Sequence, residues 1–165
     1  MTEIEFPIVN IVIVLALIAM PFIIVAAVKQ RKKMKRLLQE ADALMAQNKY
    51  RDAYEAYRKY LGMALFLTVD GKGPVFVANP FSLGGSIEKC SPVIDKLHTI
   101  CQTVGLECDL SPIRQIKEDL DEFRKDRSLF KRDGNLTRDG QPIFEAMKKK
   151  VQEVYDSMPC PEKIK

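Results

Sequence analysis

The segment "IVNIVIVLALIAMPFIIVAAVKQRKKMKR", Ile8 to Arg36, joins an uncharged apolar run to a dense basic one. The first part, Ile8 to Val28, carries no charge and only Asn10 as a strongly polar side chain. At a helical rise of about 1.5 Å per residue this run is about 30 Å long, the thickness of the hydrocarbon core of a bilayer. The sequence therefore predicts a transmembrane helix over residues 8–28, after a short tail of residues 1–7. Pro7 marks its N-terminal end, and Pro21 lies inside it as a point of bending. A cleaved secretory signal fits less well. Its leading region is basic and its apolar core is about 7–15 residues long, whereas Glu3 and Glu5 precede this longer run.

Residues 29–36 follow as a basic collar formed by Lys29, Arg31, Lys32, Lys33, Lys35 and Arg36. With acids before the span and cations after it, the positive-inside rule predicts a single-pass protein. Its N-terminus is outside and its remaining chain lies on the cytoplasmic face of a membrane the sequence does not identify. A polybasic segment of this density is expected to bind anionic lipid headgroups. Setting aside these six cations with Glu3 and Glu5 leaves 20 basic and 20 acidic residues in positions 37–165. That neutral remainder lacks the basic face that displaces counterions from phosphates, so nucleic acid is not an expected partner.

From Phe22 to Ala46 there is no Gly or Pro, and Leu37, Leu38, Ala41, Leu44 and Met45 recur at helical spacing. The apolar helix is thus expected to run on into the first helix of the soluble domain, residues 37–165. A turn at Gln47, Asn48 and Lys49 leads to a second helix with Tyr50, Ala53, Tyr54, Tyr57 and Leu61 on one stripe. Small Ala41 and Ala53 favour close approach of the two helices. Residues 68–90 then break the pattern with Gly71, Gly73, Gly84, Gly85 and two prolines, and read as one long irregular loop. Asp70 and Gly71 favour a tight turn there, and Val75, Phe76 and Val77 form a short apolar run.

Ser91 with Pro92, and Ser111 with Pro112, place a capping hydroxyl before a proline at the first helical position. The first pair opens a helix with Val93, Ile94, Leu97, Ile100, Cys101 and Val104 facing inward, stopped at Gly105. The second opens a helix facing inward through Ile113, Ile116, Leu120, Phe123 and Phe130. After the turn-rich "RDGNLTRDGQP", a last helix is expected from Pro142 to Met158, built on Ile143, Met147, Val151, Val154 and Tyr155 and ended by Pro159 and Pro161, with residues 160–165 as a loose tail. The fold class is therefore all-α. One N-terminal transmembrane helix precedes a small domain of five helices, too short to divide into two cores.

The hairpin of residues 34–64 resembles a tetratricopeptide repeat. Leu37, Ala41 and Leu44 on its first helix, and Tyr50, Ala53 and Tyr57 on its second, stand at that family's large, small, large spacings. Glu40, Tyr60 and Leu37 depart from the usual residue types, and one repeat covers about one fifth of the chain, where solenoids stack at least about three. The resemblance implies a helical hairpin that presents a groove to a protein partner. An ordinary hairpin whose tyrosines are core accounts for the same stripe.

"DGNLTRDGQPIFE" alternates Asp133, Asn135, Thr137 and Asp139 as calcium loops do, but Arg138 stands where the sharp turn needs Gly and Phe144 where the bidentate Glu belongs. Asn135, Leu136 and Thr137 form a glycosylation sequon, which matters only in a eukaryotic lumen. Cys90, Cys101, Cys108 and Cys160 form no C-x-x-C pair, and the single His98 does not complete a typical zinc finger. Reduced thiols packed in the core are the expected state on a cytoplasmic face. No phosphate-binding, dinucleotide-binding, zinc-protease or serine-hydrolase motif is present. The chain thus reads as a non-enzyme without cofactor or metal. It is a membrane-anchored interaction module, an adaptor or scaffold docking a protein partner at the surface. A structural accessory subunit of a larger membrane complex is the alternative.

Overall fold

A computed structural model describes residues 5–69, 71–74 and 78–164, with side chains from residue 18 onward other than residue 23. Among the described residues five α-helices follow one another: α1 (Glu5–Ala46), α2 (Tyr50–Ala64), α3 (Pro80–Thr103), α4 (Ser111–Lys125) and α5 (Gly140–Ser157). Short 3-10 turns at Arg127–Leu129 and Pro161–Lys163 complete the order. The chain forms two compact units, residues 1–36 and 37–165, and the boundary falls within α1.

The predicted membrane span is corrected. Among the described residues no helix is long and apolar enough to cross a membrane. Within the expected span, the side chains of residues 8–17 and 23 lie outside the described set. The single-pass topology, with its outside N-terminus and cytoplasmic domain, falls with the span. Residues 1–4 of the expected tail also lie outside the described set, and α1 already begins at Glu5.

In the unit of residues 37–165, α2 packs on α3, α3 on α4 and α4 on α5. The core holds Tyr54, Tyr57 and Leu61 of α2, Leu83, Ile87, Leu97 and Ile100 of α3, Ile113 and Leu120 of α4, and Val151 of α5. The apolar stripes read from the sequence are thus the buried faces, except at the start of α5, where the expected Ile143 is exposed and Phe144 is buried in its place. Phe130 lies inward too, but beyond the end of α4, where its ring meets Phe123 edge-on at 5.5 Å and Phe81 at 5.7 Å.

The expected loop of residues 68–90 is shorter than predicted, because α3 starts at Pro80. The Ser82 N–H donates to Asn79 Oδ1 at 2.8 Å and the Asn79 N–H to Ser82 Oγ at 2.9 Å, a reciprocal cap followed by a proline at the helix start. Ser91 and Pro92 then fall inside α3. The carbonyl that Pro92 leaves without a helical donor belongs to Glu88, an exposed residue. Val69 and Lys72 pair across the turn at Gly71, whose φ is +71°, while Asp70 and residues 75–77 lie outside the described set.

At its other end α3 closes with a left-handed Gly105. The Leu106 N–H donates to the Cys101 carbonyl at 2.8 Å and the Gly105 N–H to that of Gln102 at 3.2 Å, a Schellman turn that sends the chain back along the helix end. The tail is not loose. The turn Pro161–Lys163 packs on α2, and Ile164 is 1% exposed. Ile164, the residue that immediately follows this proline turn, anchors the tail.

Candidate functional site

Lys29, Arg31, Lys32, Lys33, Lys35 and Arg36 are all exposed along α1, and none of them is ion-paired to another described residue. Just before them Ile18, Met20, Phe22, Ile24, Val25 and Val28 are also exposed. Contiguous apolar side chains in water are costly unless something covers them. The aliphatic stems of Lys29, Lys32, Lys33 and Arg36 line one concave stretch together with Ile24, Val25 and Val28. Such stems extend an apolar surface while their charged ends stay hydrated.

The hairpin residues divide differently. Ala41, Ala53 and Tyr57 are fully buried, and Leu37, Leu44 and Tyr50 are half-buried. The tyrosine stripe of α2 is therefore core rather than an open groove. Tyr57 donates to Asp42 Oδ1 at 2.5 Å, Lys96 Nζ pairs with the same carboxylate, and the Lys96 ammonium lies 5.4 Å from the Tyr57 ring centroid. Partial burial works against ionisation of Asp42, but the hydrogen bonds from Lys96 and Tyr57 and the Lys96 charge outweigh it and hold the carboxyl below its usual range. Burial first, and then the Asp42 carboxylate, push the Tyr57 phenol upward, so it stays a donor. Asp42 and Lys96 were not legible as a site: each is one charged residue on a charged helix face.

Tyr54, fully buried beside Tyr57, donates to the Pro159 carbonyl at 3.0 Å. Its hydroxyl also lies against the thiols of Cys101 and Cys108, which meet one another side chain to side chain. All four cysteines are free; Cys90, Cys101 and Cys108 are buried and Cys160 is exposed.

A polar cleft of about 210 Å³ lies between α3 and the start of α4, lined by Ile94, Asp95, His98, Asp109, Leu110, Ser111 and Arg114. Its serine, histidine and aspartate do not form a catalytic chain. Ser111 Oγ donates to Asp109 Oδ1 at 2.6 Å, while His98 Nδ1 faces the Cys108 carbonyl at 3.3 Å and Nε2 faces the Gln102 amide at 2.8 Å. The hydroxyl thus serves a helix-start turn, and the imidazole closes off the end of α3.

In the segment considered for calcium, Asp133 accepts from the Asn135 N–H at 3.0 Å and from Asn135 Nδ2 at 2.9 Å, around a left-handed Gly134. Phe130 and Leu136 pair across this turn. Among the described residues no group of three or more His, Cys, Asp or Glu is placed to hold a metal ion. No protein-family model, no curated protein and no solved structure matches the chain.

Proposed function

We propose that the chain is a non-catalytic interaction module, an adaptor or scaffold, in which Lys29–Arg36 bind an anionic phospholipid surface and the helical unit docks a protein partner. The observation that carries this reading is the row of six exposed cations without ion pairs among the described residues, adjoining exposed Ile24, Val25 and Val28. Headgroup binding needs only that surface, at about 1 kcal/mol for each cation near it. The hairpin resembling a tetratricopeptide repeat is the docking element of the reading, with its exposed rim rather than its buried tyrosines facing the partner.

Co-sedimentation of the full chain with vesicles tests it. Vesicles containing phosphatidylserine should bind and neutral phosphatidylcholine vesicles should bind far less. Replacing Lys32 and Lys33 by Gln should weaken binding roughly 30-fold, the equivalent of about 2 kcal/mol. Equal binding to both vesicle types would overturn the lipid part of the reading.

A second reading, an accessory subunit of a larger multi-subunit complex, is favoured by the exposed Met20, Phe22 and Ile24, which a neighbouring subunit would cover. Native mass spectrometry separates the two: a complex of fixed stoichiometry supports the subunit, and an isolated chain the adaptor.

A further inference from the structure

The Schellman turn at Gly105 reverses the chain immediately after α3, so that Cys108, seven positions after Cys101, returns to the helix end it has just left. The two thiols meet there with the Tyr54 hydroxyl against both, and they are 1% and 8% exposed. Cys90, the other buried thiol, lies earlier on α3, and burial pushes its titration up. We infer that Cys101 and Cys108 form a reversible dithiol–disulfide pair, oxidised by exchange with a low-molecular-weight disulfide, that fastens the connection between α3 and α4.

Cys108 is the more exposed of the two and sits on the connection rather than within the helix, so it is the thiol that meets a small disulfide first. The Cys108 thiolate attacks one sulfur of the disulfide RSSR and expels RS⁻, leaving Cys108–S–SR. RS⁻ takes up the Cys108 proton. Cys101 then loses its proton, attacks the Cys108 sulfur and releases the second RS⁻, which departs as RSH. Two protein thiols and RSSR become one protein disulfide and two RSH, and the reverse sequence reduces the pair.

The test equilibrates the full chain with glutathione and glutathione disulfide in varied ratio, quenches with acid, alkylates the free thiols and maps the peptides. Cleavage after Glu107 separates the two cysteines, so their peptides stay joined only through a disulfide. The expected result is joint loss of two of the four thiols with Cys101 linked to Cys108. Cys101→Ser should leave glutathione attached at Cys108 as a mixed disulfide. Should that variant not fold, Cys160→Ala, which alters an exposed thiol, must still lose Cys101 and Cys108 together. Glutathione held only at Cys160 with Cys101 and Cys108 still alkylated, or a bond joining Cys90 or Cys160 instead, would overturn the assignment.

Discussion

The Tyr57 hydroxyl donates to Asp42 across the turn that joins α1 to α2, and the same carboxylate receives Lys96 from α3. One acid thus ties three helices at a place where both ionic partners remain partly exposed. Tyr57→Phe should remove the buried donor and cost about 1 kcal/mol, read as a lowered urea midpoint with an unchanged slope.

The same link has a defined pH dependence. Because the Asp42 carboxyl is held below its usual value of 3.8 in the folded chain, its stabilisation is complete at neutral pH. It fades as the pH falls below about 4, where the unfolded chain takes up the proton first. Asp42→Asn should flatten the acid side of the stability profile and leave the region above pH 7 parallel to that of the parent. Denaturant melts at a series of pH values would show an unchanged acid slope if the link carried no weight.

The start of α3 offers a mutational comparison. Asn79→Ala breaks the reciprocal cap with Ser82 and should cost about 1 kcal/mol, whereas Ser91→Ala, inside the helix, should change stability by no more than about 0.5 kcal/mol. A larger loss at Ser91 than at Asn79 in thermal unfolding would contradict this start.

Two glycines are held by close packing. A Cβ on Gly62 would lie 2.4 Å from Val69 Cγ2 and 2.9 Å from the Tyr155 hydroxyl, and one on Gly140 would lie 2.5 Å from the Leu129 carbonyl oxygen. Gly140→Ala should therefore destabilise by about 1–3 kcal/mol, with little room for relief because the obstacle is backbone. Gly85→Ala, with open space around it, should be neutral or slightly stabilising, and equal effects at both sites would sink the distinction.

Alkylation should rank the thiols. Burial pushes Cys90 up to about 12, so at pH 8 it is almost wholly protonated and shielded, while Cys160 is exposed. Iodoacetamide on the native chain should label Cys160 first and Cys90 only after denaturation, as peptide mass mapping would show.

Much of the helical unit was legible because its information is periodic. Tyr54, Leu97, Ile113 and Val151 lie on stripes that any amphipathic reading finds, and Gly105 stops α3 as its left-handed freedom suggests. The start of α3 was misread for a local reason. Two Ser-Pro pairs look alike in sequence, yet Ser111 and Pro112 stand at a helix start, with Leu110 rather than the serine hydroxyl at the cap, while Ser91 and Pro92 sit within a helix that the earlier Asn79 and Pro80 had already started. The apolar run before the collar was read as a span from length and hydropathy, and among the described residues no helix is long and apolar enough to cross a membrane. Asp42 with Lys96, and Cys101 with Cys108, were invisible because each pairing is made by tertiary packing or by a chain reversal, and neither leaves a spacing motif.

The hydrogen bond from Tyr54 to Pro159 spans 105 residues, and the turn that follows seats Ile164 in the core. During synthesis α2 therefore emerges with an unfinished face, and its tyrosines wait for a segment made more than a hundred positions later. Local helices can form as they leave the ribosome, but the unit closes only when that distant segment arrives. Premature termination anywhere before Pro159 would yield a helical chain with a permanently open seam, a natural target for chaperones and proteases.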